Sequence, residues 1–279
     1  TNPLFVLHRL MQCVDQDETS DYNQLEYQYI RVNDEMLRDM GCDIEQVLDF
    51  NVSHRQEQYL FHWVGMDVGY TNHPSEILVF GEEKAAKKDG KSKLRLLTRI
   101  HLERIQHHDQ VAAILHTIAF YRPKAFALDK TGLGLPLFQD LQHRAPESLD
   151  TIKGYNFSSK ILVDFDGSKD VDEWTGDPVK EAAIEKNVLE YAQDSLRALV
   201  DAGRIALPWD RELIGEFQGG TYTTKAGYDQ YGRRKIFSAG DDHALDASRM
   251  AALGFVQWHI EALMKAERQE PILDSFMEF

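Results

Sequence analysis

YLFHWVGMDVGY, residues 59–70, decides the fold. Phe61, Trp63, Val64 and Met66 make an apolar run that reads as a strand buried for most of its length. One acid, Asp67, interrupts it. A carboxylate there is costly unless something pairs with it. Gly65 and Gly69 flank it and leave room for close approach of another backbone or a nucleic acid.

Downstream, EILVFGEE (76–83) and LRLLTRIHLERI (94–105) read as two more strands. A lysine-rich turn with Asp89-Gly90 joins them, so an antiparallel meander is expected. Val111, Ile114, Leu115 and Ile118 then recur at helical spacing, and Pro123 stops the helix. KAFALD (124–129) is a short buried strand ending on Asp129. A glycine-opened helix, a strand at TIKGYNFS (151–158) and a long amphipathic helix follow. The face of that last helix is expected to run from Ile184 through Val188, Ser195 and Leu199 to a stop at Gly203. RIALP (204–208) is a short strand, residues 219–238 read as a hairpin, and DDHALDASRMAALGF (241–255) opens the last strong helix. Three strands followed by helix–strand alternation give an α/β fold: a ribonuclease-H-like mixed five-stranded sheet flanked by helices, with an added β-hairpin. Residues 1–58 are acidic and weakly periodic and read as a linker or N-terminal appendage; residues 59–279 form the domain, with a loosely held tail.

Asp67 and Asp129 end strands, and Asp246 lies near the start of a helix. The C-terminal ends of strands are where open α/β sheets bind ligands. Within DDHALD, Asp242 and Asp246 are four apart and His243 and Asp246 three apart, so each pair shares a helix face. Like charges so spaced repel unless something compensates. A divalent cation compensates several carboxylates at once, and oxygen ligands favour Mg²⁺ or Mn²⁺ over zinc. Two ions about 4 Å apart make a phosphodiester-cleaving centre. His243 reads as a neutral nitrogen ligand, a proton shuttle or an ordinary surface histidine.

The chain holds 31 Lys and Arg against 46 Asp and Glu, a net charge of −15, which by itself argues against a nucleic-acid binder. The imbalance is concentrated at the front, where residues 1–60 carry twelve acids and four bases. Lys225, Arg233, Arg234 and Lys235 gather on the late hairpin with Tyr222, Tyr228 and Tyr231, the mixture of cations and aromatics found in nucleic-acid grooves. The lysines of the second strand connection read as a solvated loop. Gly90-Lys91-Ser92 is not a phosphate-binding loop, because Ala85 stands where that motif needs glycine. Two cysteines are too few for a disulfide scaffold and fit a reducing compartment, and no apolar run is long enough to span a membrane.

GMDVGYT (65–71), ALDKTGLG (127–134), the long helix with RIALPWD (204–210) behind it, and DDHALDASR (241–249), in this order, resemble the nuclease domain of the large terminase subunit of tailed bacteriophages. The resemblance covers roughly residues 59–260. It implies a metal-dependent endonuclease that cuts duplex, concatemeric viral DNA during genome packaging. Asp67, Asp129 and Asp246 match the family's catalytic acids, with Asp242 or His243 as an extra metal ligand. It further implies a packaging ATPase domain, absent from this chain, as partner, with the portal and small terminase subunit beyond it, in the cytoplasm of the infected host cell. Residues 1–58 would then be the linker following the motor. Resolvases and transposases of the same fold are the nearest alternative, separated by branched against linear substrates. An actin-like or sugar-kinase ATPase is a further rival, since Asp67-Val-Gly-Tyr-Thr resembles that superfamily's first phosphate loop. It leaves DDHALD without a role, and the sequence shows no duplicated second domain.

Overall fold

The computed structural model describes residues 2–55, 59–69, 73–84, 92–163, 184–224, 234–237 and 242–269. In chain order these form β1 (Asn2–Pro3), α1 (Leu7–Cys13), β2 (Gln28–Asn33), α2 (Asp34–Met40), α3 (Ile44–Val47), β3 (Tyr59–Asp67), β4 (Ser75–Glu83), β5 (Lys93–Glu103), α4 (His107–Tyr121), β6 (Ala125–Asp129), α5 (Gly134–Arg144), β7 (Ile152–Tyr155), β8 (Lys160–Val163), β9 (Ile184–Asn187), α6 (Val188–Asp201), β10 (Ile205–Ala206), α7 (Arg211–Gly219), β11 (Thr221–Thr224), β12 (Arg234–Phe237) and α8 (His243–Gln269). The meander is real: β3 pairs antiparallel with β4, and β4 with β5. On its other side β3 pairs parallel with β6, and β6 with β7. The order β5–β4–β3–β6–β7 is the mixed ribonuclease-H-like core, with β3 at its centre.

The sheet has seven strands rather than five. β10 and β2 both add parallel to the far side of β5, at Leu94–Arg95 and Thr98–Glu103 respectively. That corrects the reading of residues 1–58 as an appendage. β2 is a strand of the main sheet, and Leu10, Cys13, Leu37 and Ile44 are buried in its two cores. The sequence signal fails there because β2, QYIRVN, is an edge strand in which only Val32 is fully buried and polar residues alternate with the apolar ones.

Alternation along the strands sorts the core into layers. Trp63, Leu78, Phe80 and Leu96 face α1, α6, α7 and α8, while Val64, Met66, Ile77, Val79, Phe126 and Leu128 face α2 to α5. Cross-strand aliphatic and aromatic burial on both faces is the main stabilising term. α6 starts later than its periodicity suggests. Ile184 lies on β9, and the side chain of Asn187 accepts from Glu190 N at 3.2 Å, which caps the helix at Val188. The hairpin forms as β11 and β12, and β1 joins it as a third strand through Asn2 and Pro3.

Gly65 fixes how closely α8 can approach the sheet. A Cβ at this position would stand 1.9 Å from the Ala247 carbonyl oxygen and 2.5 Å from the Ala251 nitrogen. The space that the sequence suggested for a ligand is filled by the backbone of α8.

Candidate metal centre

Side-chain alternation and the Gly65 contact together place the acids. Gly65 and Asp67 share one face of β3, and that face meets α8. Ala125 and Ala127 face Gly254 of α8 from β6, so Asp129, two residues on, leaves the sheet on the same side. Met66 pairs with Leu128 across the parallel ladder, which makes Asp67 and Asp129 neighbours at adjacent strand ends. α8 begins where these strands end. The Asp242 carbonyl accepts from Asp246 N at 2.8 Å, closing the first helical turn, and His243 and Asp246 sit side by side on it.

The contacts are specific. Nδ1 of His243 lies 2.7 Å from Asp67 Oδ2. Asp246 Oδ1 is gripped by Nη1 of Arg249, which also stands 3.8 Å from Asp242 Oδ2. Asp129 Oδ1 accepts from the Thr131 backbone at 2.9 Å and the Thr131 hydroxyl at 2.6 Å. This is a local turn clasp, and the helix cap falls later, at Leu133. Tight packing confirms the turn, because a Cβ on Gly134 would meet the Asp129 carbonyl oxygen at 1.9 Å.

Burial pushes the Asp67 carboxyl up, and the charges of Asp129 and Asp242 add to that push, with His243 acting against it. Asp246 is pushed up to about 7, mainly by burial, with Asp67 and Asp242 contributing and Arg249 opposing. The hydrogen bond to Asp67 lifts His243 to about 9. Four carboxylates, Asp67, Asp129, Asp242 and Asp246, thus face two cationic groups, His243 and Arg249. Surplus negative charge in a mostly buried cluster, offered by hard oxygen donors with one imidazole, fits a divalent cation. Among the described residues no three His, Cys, Asp or Glu side chains converge their donor atoms on one point. Asp67 is turned to His243 and Asp246 to Arg249.

Several functional neighbours carried no sequence signal. Glu216, on α7, accepts from the Ala244 and Leu245 amides at 2.7 and 3.1 Å, so a side chain remote in sequence caps α8. Burial raises the carboxyl of Glu216 to about 7. Arg99, 2% exposed, bonds Glu216 at 3.4 Å, Glu76 at 2.8 Å and Asp210 at 3.1 Å. Glu76 in turn faces Asp67 across the β3–β4 ladder. The N-terminus of α8 is therefore tied through one buried arginine to Glu76 of β4, the strand beside the one that carries Asp67. A cavity of about 450 Å³, lined by Glu76, Arg99, His101, Glu216 and others, opens beside this network and reaches the centre through Asp242 and His243.

Of the expected hairpin cations, Arg234 and Lys235 lie on β12, opposite Thr224 and Thr223. Lys225 and Arg233 fall outside the described residues.

No protein-family model and no curated protein sequence matches the chain. Solved structures do resemble it. The magnesium-bound large terminase nuclease of thermophilic phage G20c is 14% identical, with a TM-score of 0.48 over 71% of this chain and 82% of that one. The nuclease domain of the large terminase subunit of bacterial virus Sf6, with manganese, is 10% identical, with a TM-score of 0.45 over 90% and 98%. The large terminase of bacteriophage HK97 is 13% identical, with a TM-score of 0.44 over 76% of this chain and 43% of its own length. The fold assignment stands on the strand order above, and the chemistry has to come from the residues of the site.

Proposed function

We propose that this chain is a metal-dependent nuclease that cuts duplex DNA, and that it serves as the endonuclease of a viral genome-packaging machine, in the cytoplasm of the infected cell. What supports this reading is the adjacency of the strand ends that carry Asp67 and Asp129, together with the charges by which Asp129 acts on Asp67 and Asp67 and Asp242 act on Asp246 at the start of α8. Asp67, Asp129 and Asp246 would hold two Mg²⁺ or Mn²⁺ ions, with Asp242 and His243 beside them. When bound, such ions lower the pKa of an attacking water and stabilise the leaving 3′ oxygen.

The chain's own residues supply the rest. His243 holds a proton at Nδ1 against Asp67, which positions that carboxylate and offers a nearby proton donor or acceptor. Glu216 holds the first turn of α8, and with it Asp246, against the sheet. Arg234 and Lys235, with Lys225 and Arg233, would hold flanking phosphates with little base readout. Among the described residues no helix is long and apolar enough to cross a membrane. The packaging ATPase domain, the portal and the small subunit are the partners this role calls for.

Supercoiled plasmid with Mg²⁺ or Mn²⁺ tests the reading. Asp67→Ala and Asp129→Ala should each lower nicking at least about a hundredfold while the melting transition is kept. Undiminished cutting by either variant defeats the assignment. Linear and branched duplexes run side by side separate a packaging nuclease from a resolvase.

A further inference from the structure

Arg249 sits on α8 one turn beyond Asp246 and is 1% exposed. Its Nη1 binds Asp246 and approaches Asp242, and its Nε donates to Gln193 Oε1 on α6 at 2.7 Å. Nη2 of Arg249 and Nε2 of Gln193 are buried with no hydrogen-bond partner. A buried guanidinium with one donor unmet is tolerated only if its charge is compensated. Its compensation comes from the same carboxylate that a divalent ion would use. The two cations therefore compete for Asp246, and at this separation they repel each other.

We propose that Arg249 is the internal counter-cation of the acidic cluster: it keeps Asp246 and Asp242 in place when no divalent ion is bound, and it weakens binding of the ion that shares Asp246. The second half rests on the metal-dependent reading above. Arg249 is thus a positioning residue that sets the affinity of the centre.

The full chain is melted in EDTA and in saturating MnCl₂, and Mn²⁺ alone is titrated calorimetrically. Arg249→Met should melt about 10 °C below wild type in EDTA, because Asp246 is left buried and unpaired. Mn²⁺ should restore most of that loss and bind about tenfold tighter than to wild type. Arg249→Lys keeps the charge and should bind Mn²⁺ within about threefold of wild type. Arg249→Met combined with Asp246→Asn should melt above Arg249→Met alone in EDTA, since no charge is then orphaned. Mn²⁺ binding to Arg249→Met no tighter than to wild type overturns the competition. A double variant no more stable than the single one overturns the counter-cation role. If Arg249→Met folds only with Mn²⁺, the proposal is supported; if it stays unfolded with Mn²⁺, the proposal fails. A wild-type protein that binds no Mn²⁺ refutes the metal-dependent reading instead, and the EDTA arms still decide the role of Arg249.

Discussion

Replacing Gly65 by alanine should pry α8 off the sheet at the level of the acids. The new Cβ would lie 1.9 Å from Ala247 O and 2.5 Å from Ala251 N. A carbon rarely sits closer than about 3.3 Å to a carbonyl oxygen, so helix and strand must separate by about 1.4 Å. The obstacle is backbone on both sides, and no rotamer relieves it. The cost should reach about 2–3 kcal/mol, the upper part of the range for overpacked cores, or a fall of about 5–10 °C in melting temperature. Ala247 adjoins Asp246, so the same displacement moves that carboxylate away from Asp67. A shift on the order of 1 Å in a catalytic constellation costs about a hundredfold in rate. Gly254→Ala is the control, because its Cβ would meet side-chain carbons rather than backbone, Ala125 Cβ at 3.2 Å and Ala127 Cβ at 3.5 Å. It should stay within about 1 kcal/mol of wild type, helped by better helix propensity. Melting curves, Mn²⁺ calorimetry and plasmid nicking on both variants decide the matter. Wild-type stability together with wild-type Mn²⁺ affinity in Gly65→Ala would refute the account of how α8 carries Asp246 to Asp67.

The metal-free protein should lose stability from about pH 4 to about 9. Asp246 and Glu216, raised in the fold to about 7 from 3.8 and 4.5, contribute fully below those ordinary values and lose the contribution as pH climbs to about 7, and His243, raised to about 9 from 6.5, loses its own between about 6.5 and 9. Melting in EDTA across this range should show the decline, Mn²⁺ should flatten it, and Asp67→Asn should remove the part above pH 7.5; a flat profile in EDTA contradicts the His243–Asp67 pairing. Arg99→Met leaves Glu76, which is 1% exposed, with His101 at 2.6 Å but without its guanidinium, and should cost about 3 kcal/mol in urea denaturation. Arg234→Ala with Lys235→Ala should reduce the salt slope of duplex binding by up to about 2 without changing the melting temperature, and an unchanged slope would free the hairpin of its phosphate contacts.

The core of the fold was legible because it obeys local rules. β3 and β4 are buried on both faces and read as unbroken apolar runs, and α4 and α8 announce themselves through spacing. Asp67, Asp129 and Asp246 drew notice for the opposite reason, since each is a carboxylate at the edge of an apolar run, although Asp129 has a local partner in Thr131 and Asp246 one in Arg249. Residues 1–58 misled because β2 gets its place from β5, a partner some seventy residues away, and its own alternation is blurred by polar positions. Ile184 misled because it continues a helical spacing that Asn187 cuts off. Glu216 and Arg99 gave no sign at all. A residue that caps a helix from a different element leaves its trace only in three dimensions. Arg249 stood in view, three residues after Asp246, yet on an isolated helix that spacing reads as an ordinary surface pair.

Net charge is the feature whose first reading the structure changes most. A sum of −15 suggests a surface that repels DNA. Part of that charge faces inward. Glu76 and Glu82 are 1% and 2% exposed, and Glu216 is half-buried against α8. Glu76 and Glu216 are tied to Arg99, while Glu82 accepts from the Trp63 indole at 2.9 Å. Asp67 and Asp246 belong to the centre itself, where an ion would cancel them. A phosphate backbone senses the field at the mouth of the site and along the hairpin, and neither is given by counting acids over the chain. A chain-wide count of acids therefore does not by itself exclude a DNA substrate, because Glu76 and Glu82 are withdrawn from the surface and a phosphate senses the local field.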